Sequence, residues 1–398
     1  MNRQEAQAVC ERFGVDAIVL AEPINIYHAT GIWPQTAGMG HVGSSVAVVP
    51  ADATADVVLV MPQFLYYFVD AGGQGHVPGL TFSLYTAPDE EDGAGPPMYF
   101  AQAADGVEDT FERATRAATD AMLAHSVKPS AIAAVRDAVT GLQRIAADNF
   151  VAQAVAGADS NSVPAELLLR WIRMVKSPAE IAIVRHAATT NARVATETVR
   201  AMEIGQSYDA LRREYFARIG REGGVPSFIS IDSRAFEARD GHIREGRCFS
   251  IDAVAAFDRY HGDFGRTVIV GEPHPALMRA VDAAGAANTA VAQRLGPGMR
   301  YSDVMAIGRE AVARTGVQAF TPSSPHSVGL YHTDEAFEND SLMFAKADHA
   351  IRPGMVLSVD CPVLLTDIGG TVHMEDMWLI TDQGCEPLND TSDPFIPL

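Results

Sequence analysis

The sequence predicts an α+β chain of two domains. The first, over residues 1–160, is α/β, and the second, over 161–398, is built as two similar halves. Three observations predict this. Strand-like and helix-like runs alternate through the first third, the pattern of a mixed sheet covered by helices. From Ser177 onward, a plan of two helices followed by a hairpin occurs twice. Each hairpin carries a pair of carboxylates, Asp252 with Asp263 and Asp360 with Glu375.

Residues 1–13 read as a helix ending at Gly14, and Val15–Leu20 as a buried strand. In the run AEPINIYHATGIWP, Gly31 breaks a helix before a loop. Val46–Val49, Val57–Met61 and Ala131–Val135 read as further strands, and helical periodicity at 106–124 and 139–153 fits between strands. Residues 71–97, rich in Gly, Pro and acidic side chains, read as a solvated loop. GADSNSVP, within Ala156–Pro164, breaks the helical pattern and marks the domain boundary.

Ser177, Pro178 and Glu180 form a capping box with proline at the first helical position. Ile181, Val184, Ala188, Ala195, Val199 and Met202, with Asn191 in register, are the buried stripe of a long helix that Gly205 ends. A second helix, with the stripe Leu277, Val281, Ala284, Val291 and Leu295, repeats this plan 93 residues later. Gly205-x-x-Tyr208-x-x-Leu211 returns at the same spacing as Gly298-x-x-Tyr301-x-x-Val304, opening another helix each time. Two half-domains related by a pseudo-two-fold would bring their hairpins together at a seam.

Phe249–Val270 reads as the first hairpin. A two-residue turn at Phe257-Asp258 puts Asp252 directly opposite Asp263, with Cβ atoms about 5 Å apart. Like charges facing across a ladder are destabilising unless a cation lies between them. A turn centred on Asp367-Ile368 places Asp360 opposite Glu375 in the same way, and His326 lies between the hairpins in PHSVGL. Four carboxylates and one imidazole can hold two divalent cations.

Asp252, Asp263 before Gly265-Arg266-Thr267, His326 in HSVGL, Pro353-Gly354-Met355 before SVD, and Glu375-Asp376 together resemble the superfamily of creatinase, prolidase, aminopeptidase P and methionine aminopeptidase. The likeness is strong over residues 165–390. It is looser in the first third, where Asn25-Ile26-Tyr27 with Thr30-Gly31 resembles the creatinase and prolidase N-terminal domain. It implies a C-terminal pita-bread fold, a pseudo-two-fold curved antiparallel sheet with flanking helices, behind a creatinase-like N-terminal domain. It implies further that Asp252 chelates one metal alone, that Asp263 and Glu375 bridge, and that His326 and Asp360 complete the second site. Oxygen ligands with one imidazole suit Mn, Fe, Co or Zn. The implied activity is that of a dinuclear hydrolase of the Xaa-Pro aminopeptidase or dipeptidase type, acting on a small peptide or amide through a metal-bridging hydroxide.

Four positions depart from the family pattern. Asp360 replaces the usual Glu and is shorter by about 1.5 Å, one C–C bond, which weakens the second site. Arg234 and Ala235 stand where peptidases carry a histidine before the first metal Asp. Thr333 stands where a second histidine follows the ligand His, with His332 one residue earlier, and His373 replaces an arginine. The ligand frame is kept and the substrate-handling shell differs. That pattern also fits a metal-dependent lyase or non-peptide hydrolase, as in the dimethylsulfoniopropionate lyases of the superfamily, or a catalytically dead binding homologue.

His332 is the candidate acid or base, since imidazole titrates near neutral pH. Its competing reading is a surface histidine beside Asp334 and Glu335. His373 shares a strand face with Glu375 by period two and would point into the site, and His326 becomes a base if the second metal is absent. Arg234, Phe236 and Tyr331 are candidate substrate contacts, and Phe228 another pocket wall. His242, His261 and His349 read as exposed.

The chain has 398 residues, a net charge of −20 and a pI near 4.9, which argues against nucleic-acid binding through a basic patch. Its four cysteines form no C-x-x-C pair. There is no apolar signal-peptide core and no run of eighteen apolar residues, so a cytoplasmic protein without a membrane span is expected. By resemblance it is a homodimer, with the loop-like run Trp33–His41 near the partner's active site.

Overall fold

The structure, a computed structural model, describes residues 1–41, 43–71, 75, 77–87, 109–157, 163–232, 241–317, 323–340, 346–365 and 371–398. Two units emerge, Met1–Ile172 and Arg173–Leu398. No helix among the described residues is long and apolar enough to cross a membrane.

The first unit runs α1 (Arg3–Phe13), β1 (Ala17–Leu20), α2 (Pro23–Thr30), β2 (Val46–Pro50), β3 (Val57–Pro62), α3 (Gln63–Ala71), β4 (Leu80–Ala87), α4 (Thr110–Ala124), β5 (Val127–Ser130), α5 (Ala131–Ala138), β6 (Ile145–Ala147), α6 (Phe150–Ala156) and β7 (Val163–Pro164). Helix α7 (Ala165–Met174) leads into the second unit. Glycines close α1 and α2 in the left-handed region, Gly14 at φ 63° and Gly31 at φ 75°, where a Cβ would be strained. The seven strands form a mixed sheet in the order β5-β4-β3-β2-β1-β6-β7. Both faces are apolar: Ile18 and Leu20 pack with α1 on one side, Ala17 and Val19 with α5 and α6 on the other.

Three local expectations give way. Ala131–Val135 is helical, in α5, because Ser130 accepts the Ala133 N–H as an N-cap and the alanines favour helix; the strand is β5, just before it. The helical pattern over 139–153 is broken by Gly141 at φ 87° and by β6; helix resumes at α6, capped by Asn149. The span 71–97 contains β4, whose alternating LTFSLYTA pairs in parallel with β3. The acidic run at 88–97 lies outside the described residues.

The second unit contains α8 (Pro178–Arg200), α9 (Tyr208–Arg221), β8 (Val225–Ile231), β9 (Cys248–Phe257) and β10 (Tyr260–Ile269). It continues with α10 (Pro275–Arg294), α11 (Tyr301–Arg314), β11 (Ser324–Ser327), β12 (Val356–Leu365), β13 (Thr371–Thr381), β14 (Gly384–Pro387) and β15 (Phe395–Pro397). The capping box at Ser177 and Glu180 is present. Helix α8 ends at Arg200, before the expected stop at Gly205. Helices α9 and α11 have 14 residues each and begin 93 residues apart. Helices α8 and α10 are 97 apart, counted from Pro178 to Pro275, so the first helices of the two halves are offset from the expected 93. At that offset Asn191 corresponds to Asn288, and each buried amide bonds the hairpin of its own half.

The main sheet path is β11-β12-β13-β10-β9-β8, with β14 on β13 and β15 on β10. Each half contributes three strands in mirrored order about the β13–β10 seam. The seam is one residue pair long: Gly265 opposes Glu375, and farther along β10 Thr267–Ile269 pair instead with Phe395–Pro397 of β15.

Hairpin β12–β13 pairs Asp360 with Glu375 directly, as expected; its turn lies outside the described residues. Hairpin β9–β10 is shifted. Phe257 is buried in the core under α8 and α9 and stays in the strand, while the positive φ of Asp258 (43°) and Arg259 (66°) make the two-residue turn. Asp252 therefore opposes Gly265, and Asp263 opposes Val254. The carboxylates are diagonal neighbours, not directly opposed, and still share a face. Phe249, Ile251, Ala253, Phe264 and Val268 take the other face, against the helices.

Candidate metal centre

Five strands each deliver one candidate ligand to the face away from the helices: Asp252 from β9, Asp263 from β10, His326 from β11, Asp360 from β12 and Glu375 from β13. Their ligand atoms fall into overlapping triads, Asp252–Asp263–Glu375 and His326–Asp360–Glu375, each within 4.8 Å. A third triad, Asp263–His326–His332, meets the same limit. His326 Nε2 lies 3.5 Å from Asp263 Oδ2, 3.6 Å from Glu375 Oε1 and 3.8 Å from Asp360 Oδ2.

The donor set fits a cation. Asp263 is fully buried, yet neither of its carboxylate oxygens makes a hydrogen bond, and Asp252 Oδ1 is buried in the same state. Oxygens withdrawn from water without a donor are costly, and a metal ion is the partner they lack. The titration behaviour has the same origin. Burial, with the charge of Glu375 beside it, pushes Asp252 up to about 7 and Asp263 well above the ordinary carboxylate value. Asp360 is raised by the same two causes. Burial also opposes the ionised form of Glu375, but the imidazoles of His326 and His373 beside it prevail and hold it well below its usual value. For His326 and His373, burial disfavours the imidazolium, yet bonding to Glu375 and the surrounding carboxylates outweigh it and raise both to about 9. The cluster balances its charge by taking up protons, which a divalent cation would replace.

His373 is buried, and its Nε2 lies 3.2 Å from Glu375 Oε2 and 3.7 Å from Asp360 Oδ1, on the face that period two gives it. His332 projects from the loop after β11, with its side chain 38% exposed and Nε2 3.1 Å from Asp263 Oδ2. Phe228 packs edge-on against the His332 ring at 5.5 Å. Tyr331 is 40% exposed, with the Arg173 guanidinium 5.0 Å from its ring centre. Arg234 and Phe236 lie outside the described residues. Of the histidines expected to be exposed, His242 is. His349 is buried because its Nε2 bonds Ala336 O at 2.7 Å, and His261 is half-buried against Gly329.

Two supporting residues escaped the sequence reading, and the role of a third, Gly265, escaped it although the residue stood in the motif after Asp263. Ser358, two residues before Asp360 and so on its face, donates to Glu375 Oε1 at 2.8 Å. Ser230, opposite Asp252 on β8, donates to Asp252 Oδ2 at 3.3 Å; no local pattern marks it. Gly265 is the third: a Cβ there would stand 2.2 Å from the His373 ring and 2.9 Å from Glu375 Cβ. Gly265→Ala is expected to push both side chains off their positions and weaken metal binding about 10- to 100-fold, the range for disturbing groups that orient ligands. Calorimetric titration with Mn²⁺ measures this, and unchanged affinity would show that the ring has another place to go.

Similarity to known proteins agrees with this geometry. The model of metallopeptidase family M24 matches residues 174–382. A Xaa-Pro dipeptidase of Pyrococcus horikoshii is 26% identical over 242 residues, covering 58% of this chain and 66% of that protein. An ectoine hydrolase of Halomonas elongata is 26% identical over 254 residues, covering 58% of this chain and 61% of that protein. The chain thus matches less than two thirds of either relative's length. Among solved structures, a Xaa-Pro dipeptidase from Bacillus anthracis superposes with a TM-score of 0.67 at 16% identity, over 100% of this chain and 99% of that one. The fold is therefore the expected one, an N-terminal domain followed by a pita-bread domain.

Proposed function

Because the chain belongs to metallopeptidase family M24, we propose that it is a dinuclear hydrolase of the Xaa-Pro peptidase type, acting on a dipeptide, short peptide or other small amide. One observation carries this reading: two triads of ligand atoms share Glu375, and the carboxylate between them, Asp263, is fully buried and accepts no hydrogen bond. Asp252, Asp263 and Glu375 would hold one cation, and His326, Asp360, Glu375 and Asp263 the other, drawn from Mn, Fe, Co or Zn. When bound, such a pair acidifies water and polarises a carbonyl. The chain's own residues do the rest. His373 holds the second oxygen of Glu375, and Ser358 holds the first, so that this carboxylate is fixed before substrate arrives. His332, on the exposed side, takes or gives the proton at Nε2, and Tyr331 beside it walls the approach.

The test is metal analysis of the purified protein together with a screen of Xaa-Pro dipeptides, other amides and small β-substituted acids in ¹⁸O-water. Two equivalents of metal and ¹⁸O in the product would support the hydrolase; metal-dependent turnover without ¹⁸O would replace it with a lyase. The lyase or non-peptide hydrolase is the second reading, favoured by His373 and Asp360 at positions where the family carries longer side chains. A protein without metal or turnover would be a binding homologue.

Asp360 has room to be lengthened, since its side chain is 32% exposed. Asp360→Glu adds about 1.5 Å of reach and should raise affinity at the second cation site about tenfold, the low end for improved ligand placement. Calorimetric titration of wild type against Asp360→Glu checks it. Two equally tight sites in the wild type would show that the shorter side chain has no consequence, and one site in both proteins would sink the dinuclear reading.

We also infer a homodimer, with Trp33–His41 near the partner's site. This run holds a single turn of 3-10 helix, Gln35–Met39, whose Met39 is 72% exposed. A monomeric mass by light scattering at micromolar concentration would count against the dimer.

A further inference from the structure

The loop carrying His332 is fastened by buried charges that the reading above does not use. Its base is closed by two hydrogen bonds, one backbone to backbone and one to a side chain: Asp334 N–H donates to Ser327 O at 2.8 Å, and Ser327 N–H donates to Glu335 Oε2 at 2.9 Å. Within the loop, Leu330 N–H donates to Asp334 Oδ2 at 3.0 Å. From β10, His261 N–H donates to Gly329 O at 2.8 Å.

Two cations from the segment before α8 meet this base. Arg173 is 1% exposed; its Nη1 lies 3.6 Å from Asp334 Oδ1, and its guanidinium packs on the Tyr331 ring. Lys176 is 3% exposed and donates from Nζ to Ser327 Oγ at 2.9 Å. There is no slack at the junction, since a Cβ on Gly329 would lie 2.7 Å from Asp334 Oδ2 and 3.1 Å from Lys176 Cε.

Buried ion pairs are a poor source of stability, because apolar side chains of the same volume commonly do as well. What charges supply is direction: a guanidinium between a carboxylate and an aromatic face fixes both. The residues so fixed, Tyr331 and Asp334, flank His332, whose side chain is 38% exposed and meets only part of its surroundings through the rings of Phe228 and His326. We propose that Arg173 and Lys176 are positioning residues, which set the loop from Ser327 to Glu335 so that His332 Nε2 stands at Oδ2 of Asp263. This rests on the reading of His332 as the acid or base.

The test uses the full-length, Mn²⁺-loaded protein with Ala-Pro as substrate, the variants Arg173→Lys and Asp334→Asn, and the same changes made in a His332→Gln background. Both changes keep the approximate volume of the side chain while altering its charge or bonding; a third variant, Lys176→Met, is read if either fails to fold. The expected result is a kcat about 10- to 100-fold lower, the scale of a misplaced catalytic group, with metal content and KM unchanged and with no further loss in the His332→Gln background. Amide hydrogen exchange should quicken at Gly329, Leu330 and Asp334 and nowhere else. A loss that adds to that of His332→Gln overturns the proposal, and so does unchanged exchange in the loop. The exchange measurement needs no substrate. A wild type inactive on Xaa-Pro dipeptides would therefore overturn the peptidase reading, while exchange still decides whether these residues hold the loop.

Discussion

Asp263→Ala is expected to strip both cations from the protein and abolish turnover, and Glu375→Ala to do the same, whereas Asp252→Ala should spare one cation. The difference follows from placement. Asp263, Glu375 and His326 each belong to two of the ligand triads, while Asp252 belongs to one; of the three, only the two carboxylates have two oxygens to share between cations. Removing a group that merely orients a ligand costs about 10- to 100-fold, so losing a shared ligand should exceed about 1000-fold in kcat/KM, beyond that range. Atomic absorption on the purified variants, paired with turnover of the best substrate from the screen, gives both quantities. Full metal content in Asp263→Ala or Glu375→Ala would refute the assignment of shared ligands.

The largest loss of stability should come from Arg266→Met, although Arg266 touches no candidate ligand side chain. It lies on the helix side of β10, 1% exposed, directly behind the seam. Its Nη1 donates to Gly265 O and Glu375 O, each at 2.8 Å, and so clamps the one ladder pair between β10 and β13. Nη2 meets Asp376 Oδ1 at 2.6 Å, and Asn288 and Asn389 complete that carboxylate's partners. Replacing the guanidinium leaves Asp376 charged and buried, which costs about 3–5 kcal/mol. Urea denaturation of the metal-loaded protein reads this directly. Arg266→Met combined with Asp376→Leu should recover part of the loss, because the stranded charge is then gone.

What the sequence made legible was periodic or paired. The capping box at Ser177, the stripes of α8 and α10, and the matched starts of α9 and α11 all follow from rules within one element. Asp360 and Glu375 were paired correctly although the register of their hairpin shifts between Cys361 and Leu364, nearer the turn. The β9–β10 turn was misplaced by one residue because burial of Phe257, a tertiary fact, decides where that strand ends. Ala131–Val135 was misread because an N-cap at Ser130 outweighs a short apolar run. Ser230, Gly265 and the buried cations Arg173 and Lys176 owe their importance to residues 20 to 160 positions away, such as Ser327 for Lys176. No window along the chain contains that information.

The one-pair seam also sets an order of events during synthesis. The triad Asp252–Asp263–Glu375 draws on both halves and His326–Asp360–Glu375 on the second alone, and both need Glu375 on β13, so no fragment ending before β13 can bind both cations. Strand β10 waits longer still, since Thr267–Ile269 find their ladder partners only in Phe395–Pro397. On the ribosome, the first unit can close while the second is still being made. The centre itself is joined only after β13 has left the exit tunnel, through contacts more than a hundred residues apart that are slow to form. Metal uptake is then a late event in the life of the new chain, and its rate reports the final docking of the two halves.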